Sequence, residues 1–557
     1  MAKSLLRWCA SITILPRLKS PAFWVFSCLG VGAAAMPVVA LSSSVGSAGI
    51  DARRLHGEPY GLTGEKIAIG QVEIGRPSQF GLDKLAYEAM PVEVRRVFFQ
   101  DRLASPDEYV DGHAANVASV MISQDKLRTG VAPGASLFAA AVGPLRDRSG
   151  QPDECLASQQ VALSNSGDLR AINFSFGEPL ARDPRPNPVL DGNALLTQCI
   201  DWSQRVHDVL YVIAGNQGGG GIPIPTDNFN GINVAYSRLH NGIYSKVDFA
   251  NLSSEPEFRS PRSPSPETNV GSRRSINITA PGSQIELIDP DGRVRLASGT
   301  SFAAPHVVGV IALIQQLADQ QIRAGSPNWN LDARRSMVSK AVVLNSVDKI
   351  ADQGDGLRLG MTRTLTDESG EDWLVSDAYT DRRIPLHKDM GTGHLNAYRA
   401  YQQFLPGAVG PQEAIPAIGW NYDQLDFTGE AKGAPGRFHD YVFEAPLEGG
   451  SYLSATLAWE RYVELDDANA NGLYDIGETF NDYGLNNLDI YLMPAEAEDL
   501  EASIWSSESA EDSVEHIFHE IPRTGRYKLR VVFRQPVHNQ APQPYALAWW
   551  AAPAQAD

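Results

Sequence analysis

Ser298-Gly299-Thr300-Ser301-Phe302-Ala303-Ala304-Pro305-His306-Val307-Val308-Gly309 passes from small, glycine-bounded residues straight into an apolar helical run, Val307 to Leu317. That change of pattern places Ser301 at or just before a helix N-terminus. Unpaired backbone N–H groups point outward there, and the helix dipole favours negative charge. A serine in that position can be exposed, with donors beside it for an oxyanion. It can equally be an ordinary N-cap. Which of the two holds depends on whether a base, a carboxylate and an oxyanion donor stand elsewhere in the chain.

Working outward, short apolar runs alternate with helical ones. Lys66–Val72, Ser136–Val142, Arg170–Phe176, Val209–Ala214 and Gly231–Tyr236 read as buried strands. His113–Ser123, Cys155–Ser164 and Ala194–His207 read as helices. Continuous apolar strands alternating with helices predict an α/β fold with a doubly wound parallel sheet. Ser253–Arg274 reads as a surface loop and Asp352–Met390 as a polar insertion. Composition shifts after Gln402, and Pro406–Pro416 reads as a linker. Beyond it, Tyr441-Val-Phe, Tyr452–Trp459, Leu488–Leu492, Tyr527–Phe533 and Tyr545–Trp550 alternate apolar with polar residues between turn-rich segments, predicting a smaller all-β sandwich. The expected division is 1–40 leader, 41–61 N-terminal segment, 62–405 α/β catalytic domain, 406–423 linker and 424–557 β-sandwich.

Serine chemistry needs a base for the hydroxyl proton, a carboxylate to hold the resulting imidazolium and donors for the developing oxyanion. His113 opens an apolar helix directly after Asp111-Gly112, so its ring can project over a sheet edge; a lone histidine there is more often a surface residue. Glu73 ends the first strand, where open α/β sheets place their sites, although a solvated loop glutamate fits too. Asn216 follows the strand Val209–Ala214 in Ala214-Gly215-Asn216-Gln217 and can donate from its amide, or simply make a turn. Singly, each bland reading wins; four such residues on successive strand and helix ends, in this order, make an acyl-transfer site the better reading.

Those residues resemble a subtilisin-like serine protease (a subtilase). Ser298 to Val307 is similar to that family's nucleophile motif, which implies Ser301 as nucleophile. His113-Ala-Ala-Asn-Val-Ala resembles the base segment at its first, fifth and sixth positions, and Ala214-Gly215-Asn216 the oxyanion segment. Carboxylate, then His, then Ser is the subtilisin chain order. Gly130-Val-Ala-Pro-Gly-Ala, Ala280-Pro-Gly282 and Gly391 to Tyr398 resemble further landmarks, so the likeness runs from about residue 50 to 403. Ile172 to Gly177 resembles the strand that pairs with extended substrate. The resemblance therefore implies Ser175, Phe176, Gly177, Ala214 and Gly215 as substrate-binding residues, with the side-chain pocket between 175–177 and 214–218. Where the family usually has Asp-Thr-Gly or Asp-Ser-Gly, this chain has Glu73-Ile74-Gly75. A carboxylate is what the role demands, and the extra reach of about 1.5 Å must be taken up by the rotamer or the backbone. The expected activity is a serine endopeptidase working through an acyl-enzyme with a Glu-His-Ser triad. A serine-carboxyl (sedolisin-type) peptidase, with a Glu base and no His, and an inactive protease-like binding scaffold are the alternatives.

The 557 residues carry a net charge of −19, which argues against nucleic-acid or anionic-membrane partners; the partner expected is a polypeptide substrate, acted on by a monomer. Lys3, Arg7, Arg17 and Lys19 precede an apolar run, Ala22–Ala40, that ends Val38-Val39-Ala40, a small-x-small pattern. An export signal cleaved there predicts a secreted or periplasmic protein free of the membrane, and the loss of four basic residues takes the charge from −19 to −23. A retained anchor is the alternative. The twenty or so residues between Ala40 and the catalytic domain leave no room for an inhibitory prodomain. Cys9 and Cys28 fall in the leader; Cys155 and Cys199 remain, either as one disulfide or as two buried thiols.

Asp467-Ala-Asn469-Ala-Asn471-Gly472-Leu473-Tyr-Asp475-Ile-Gly-Glu478 fits the twelve-residue calcium-loop pattern at every fixed position. Asp467, Asn469, Asn471 and Glu478 offer side-chain oxygens, Leu473 its carbonyl, and Asp475 a ligand through water. A structural Ca²⁺ is the one cofactor expected, with none for catalysis; an acidic Asn/Gly turn is the alternative.

Overall fold

A computed structural model describes residues 39–84, 86, 91–144, 149–215, 223–240, 243–246, 272–289, 293–367, 369–427, 437–538 and 542–554. The leader up to Val38, with Cys9 and Cys28, and most of the Ser253–Arg274 loop lie outside them.

Period-two patterning of the apolar strands decides which side chains face which helix layer. The central sheet runs in space Val94–Phe99, Ser136–Ala141, Ala68–Glu73, Leu169–Phe174, Leu210–Ala214, Ile232–His240. These strands are mutually parallel, and Ile278–Pro281 also pairs parallel with Ile232–His240. Antiparallel additions, Arg102–Leu103 and Ile243–Lys246, make the sheet mixed at its margins. The first strand in sequence lies in the middle, and the chain winds to one side of it and then the other. The crevice beyond its carboxyl end is therefore a topological switch point, where open α/β sheets bind ligands.

Ile69, Ala139, Ala171 and Val212 pack with the helices Gly112–Ile122 and Thr300–Ala324 on one face. Val72, Ala140, Ile172 and Ile213 pack with Gln151–Ala162 and Leu195–His207 on the other. Alternation then puts Gln71, Glu73, Asn173 and Ser175 on the Thr300–Ala324 side. That helix is long and apolar enough to cross a bilayer, but 94% of its apolar window is buried; it is the core helix of the domain. Gly309 has no room for a side chain, since a Cβ there would sit 2.4 Å from Val131.

The N-terminal segment is core. Leu41, Val45, Ile50 and Leu55 are fully buried, and Ser44 Oγ bonds His306 Nε2 at 2.9 Å. The Asp352–Met390 stretch departs from the polar insertion expected of it: Leu359, Met361 and Trp373 are buried and pack against Tyr452, Phe518 and Trp550 of the sandwich. Its charges sit on turns while its scattered apolar residues, which follow no period, turn inward.

After residue 406 the chain forms two four-stranded antiparallel sheets, Ile418–Leu425/Gln543–Ala551/Tyr452–Trp459/Val514–Glu520 and Phe438–Val442/Tyr527–Gln535/Asn487–Pro494/Trp505–Ser507. Trp459, Trp549, Tyr441 and Tyr545 fill the space between them. The first of these strands begins at Ile418, inside the span read as a linker, because 418–425 alternates in pattern well enough to pair with 543–551. The sandwich is bonded to the α/β layers. Gln403 Nε2 donates to Gly419 O and Trp549 O at 2.7 and 2.8 Å, and Ser454 and Thr456 hydroxyls donate to Asn345 Oδ1. The hairpin Tyr462–Asp466/Thr479–Gly484 reaches farther, onto the helices Gln151–Ala162 and Leu195–His207, which the Cys155–Cys199 disulfide joins.

Candidate active site

Glu73 is the last residue of its strand and is 3% exposed. One carboxylate oxygen meets His113 Nδ1 at 2.7 Å. The other accepts from Gln71 Nε2 at 3.3 Å, and the same amide donates to Ala114 O at 2.9 Å. The glutamate reach is thus taken up between the ring and a neighbour two residues back on the same strand face. His113 is the second residue of its helix. Asp111 is the N-cap, accepting from the backbone N–H of His113 and Ala114 at 2.9 and 3.1 Å, which fixes the first turn and with it the imidazole. Phe302 packs beside the ring, centroids 5.5 Å apart.

The charge of Glu73, acting before the opposing effect of burial, raises the His113 pKa to about 9. Burial pushes the Glu73 carboxyl above its ordinary range, with the imidazolium pulling it back. Each ion is stabilised chiefly by the other, the arrangement that suits a base whose protonated form must persist through a transition state.

Ser301 is the second residue of Thr300–Ala324, with Gly299 as cap at φ +147°. Two contacts hold this turn against the strand ends: Thr300 Oγ1 donates to Gly215 O at 2.7 Å, and Gly299 N–H to Gly282 O at 2.9 Å. Gly282 leaves the space for that approach, since a Cβ there would stand 2.7 Å from Gly299 O. Ser175 Oγ donates to Ser301 O at 3.2 Å while accepting from Asn173 Nδ2 at 2.8 Å. Ser301 Oγ donates to Ser175 O at 3.3 Å; hydrogen bonds at sites of this kind commonly tighten only with substrate bound.

Of the expected substrate residues, Ser175, Gly177, Ala214 and Gly215 lie at the ends of the two strands flanking this turn. Gly215 is closed in, a Cβ meeting Val234 O at 3.0 Å. Phe176 points the other way, 5% exposed and stacked on Phe174 with centroids 4.2 Å apart; alternation turns its ring into the opposite core, so it offers the cleft backbone only. Asn216 lies outside the described residues. Gln71, Asp111 and Asn173 complete the support of the site and were not singled out from sequence, although a polar residue inside an otherwise apolar strand was the available signal for the first and last.

In the Asp467–Glu478 loop, Ala470 and Gly472 take φ of +58° and +77°. Gly472 N–H donates to Asp467 Oδ2 at 2.7 Å, and Glu478 accepts from Ala468 N–H and Asp475 N–H. Asn469 and Asn471 both turn their amide NH₂ groups to Asp475 Oδ2, at 2.7 and 2.8 Å. Their amide oxygens are engaged as well, Asn469 Oδ1 accepting from Asn471 N–H at 3.0 Å and Asn471 Oδ1 from Leu473 N–H at 2.6 Å. Among the described residues no group of three or more His, Cys, Asp or Glu side chains converges as a metal site.

A model of the subtilase family (peptidase S8) matches residues 79–366, more than half of the chain, including His113 and Ser301 and beginning just after Glu73. The chain is similar to an intracellular serine protease of Paenibacillus polymyxa, 27% identical over 268 residues, covering 47% of this chain and 71% of that protein. Subtilisin Savinase of Lederbergia lenta is 25% identical over 242 residues, 43% of this chain and 73% of that one. Thermitase of Thermoactinomyces vulgaris is also 25% identical over 242 residues, 43% and 68%. Among solved structures, the prenylagaramide maturation protease PagA aligns with a TM-score of 0.40 at 20% identity, over 63% of this chain and 97% of that one. The chain belongs to the subtilase family and is a serine endopeptidase.

Proposed function

We propose that this endopeptidase works through a Glu73-His113-Ser301 triad. The observation that carries the reading is the 2.7 Å contact between Glu73 and His113 Nδ1 at the switch point of the sheet. It fixes the tautomer that leaves Nε2 free to take a proton. Ser301 Oγ attacks the peptide carbonyl, His113 takes its proton and returns it to the leaving amine, and water then releases the acyl group by the same route. The Ser301 N–H at the helix start, with the Asn216 amide, stabilises the oxyanion. Extended substrate pairs with 175–177 on its acyl side.

The leader and the Cys155–Cys199 bridge favour export to an oxidising compartment, with polypeptides as substrates and a monomer as the working form. A Ca²⁺ in the Asp467–Glu478 loop would be structural. An activity-based fluorophosphonate probe tests the mechanism. Labelling of the wild type and its loss in Ser301→Ala and His113→Ala is the expected result; labelling that survives His113→Ala would favour a sedolisin-type scheme, and an unlabelled wild type a binding scaffold.

A further inference from the structure

In the strand Ala68–Glu73 an amide, Gln71, stands between Gly70 and Val72 and is fully buried. Both hydrogens of its NH₂ are used at the active site. One goes to the Glu73 carboxylate at 3.3 Å and the other to Ala114 O at 2.9 Å. Ala114 directly follows His113, so a single nitrogen ties the carboxylate to the helix turn that carries the base. Both partners are acceptors, which fixes the amide with its NH₂ toward them. Oε1 is left without a hydrogen-bond partner among the described residues. A leucine of similar volume would bury no acceptor here. The two contacts of Nε2, rather than a need of the sheet, account for an amide in this place.

Across the sheet Gln71 pairs in register with Asn173 on Leu169–Phe174, and both side chains stand on the face of the helix Thr300–Ala324. Asn173 serves the other half of the site. Its Nδ2 donates to Ser175 Oγ, which donates to Ser301 O, and its Oδ1 also has no hydrogen-bond partner among the described residues. The floor beneath the site is therefore a pair of neighbouring buried amides, one turned toward the base and one toward the nucleophile.

We propose that Gln71 is a positioning residue that lets a glutamate serve as the orienting carboxylate. Glutamate has one more rotatable bond than aspartate, and so more ways to swing its carboxylate off the imidazole. Gln71, itself held by Ala114 O, pins one carboxylate oxygen, and the other then stays 2.7 Å from His113 Nδ1. The same bond favours the ionised form. Burial raises the Glu73 pKa, and His113 and Gln71 both oppose that rise. This role rests on the triad reading of His113 and Ser301 and adds to it the residue that keeps Glu73 in place.

The test compares Gln71→Leu and Gln71→Met, which lack the donor, with the wild type on one internally quenched peptide, each normalised to active serine by fluorophosphonate titration. The expected result is a kcat lowered about tenfold, the scale of one hydrogen bond to a charged group, with KM changed by about twofold or less because Gln71 touches no substrate. The acid limb of kcat/KM should move to lower pH, because a carboxylate free to swing raises the His113 pKa less. In a Glu73→Gln background Gln71→Leu should act with the opposite sign and raise kcat, which a merely structural role would not produce. An unchanged kcat per titrated serine, a loss carried by KM, an unmoved limb, or a loss of the same sign in both backgrounds overturns this proposal alone. Variants with no titratable serine place Gln71 in the fold and overturn it as well. A wild type that cuts no peptide, or that still cuts after Ser301→Ala, overturns the triad reading and this proposal with it.

Discussion

Glu73→Gln keeps the shape of the side chain and removes its charge. In the wild type one oxygen faces His113 Nδ1 and the other faces Gln71 Nε2. The introduced amide has one oxygen and one NH₂ for those two places. Gln71 Nε2 is a donor, already tied to Ala114 O, so the oxygen belongs on its side and the NH₂ turns to the imidazole. Nδ1 must then accept, the ring proton moves to Nε2, and the base no longer faces Ser301. The imidazolium also loses its counter-charge. Unit charges about 4 Å apart at an effective dielectric near 20 attract by about 4 kcal/mol. Since 42% of the His113 side chain is exposed, screening leaves about half, ~2 kcal/mol or ~30-fold. The tautomer error adds to this, toward the ~10⁴ that amidating the orienting carboxylate removes from a Ser-His-Asp enzyme. The assay is kcat/KM on one quenched peptide from pH 5.5 to 10. In the wild type the acid limb should lie above the ordinary histidine value, because Glu73 raises His113 to about 9 and the base works only when neutral. In Glu73→Gln the limb should move to lower pH and the plateau fall by 10³–10⁴. Adding Gln71→Leu frees the amide to turn and should restore about tenfold. A variant that keeps more than a tenth of wild-type activity (~1.4 kcal/mol), with its limb unmoved, would refute the role given to Glu73.

Three further outcomes concern stability. Arg461 is buried and bonds Gly192 O at 2.7 Å, Asp482, Asn193 and the buried Asp201; Arg461→Ala should lower unfolding stability by about 3–5 kcal/mol, because Asp201 is left without its contact cation, as read from guanidinium denaturation. Opening the 44-residue span between Cys155 and Cys199 with paired Ser substitutions should lose up to about 4 kcal/mol by chain entropy, and a thermal scan with and without reductant reports it. EGTA should lower the melting temperature of the wild type and leave that of Glu478→Ala unchanged; a wild type indifferent to EGTA and Ca²⁺ removes the cation from the loop.

The parallel sheet was legible because its strands are continuous apolar runs, and the sandwich because Leu453–Leu457 and Tyr527–Val531 alternate apolar with polar residues. Ile278–Pro281 and Val294–Ala297 were not, being four-residue strands whose pairing depends on neighbours distant in sequence. Ser301 and His113 announced themselves through helix-start chemistry. Gln71 and Asp111 did not, since an amide within a strand and an acid before a glycine gain meaning only when the strand and the helix meet. Trp373 was hidden differently, inside a charged stretch without a period, and became core only because the sandwich covers it.

The Asp467–Glu478 loop has a consequence specific to a protease, which shares its solution with other copies of itself. A chain is cut only after being drawn out as an extended strand with its amides free to pair with the enzyme. Here the amides of Ala468, Asn471, Gly472, Leu473 and Asp475 are already engaged by side chains of the same loop, and Tyr474 N–H is held by Gln159 at 2.6 Å. An exposed, glycine-bearing turn, ordinarily the first place to be nicked, is thereby made a poor substrate, so the hairpin is guarded against autolysis by the same bonds that shape it.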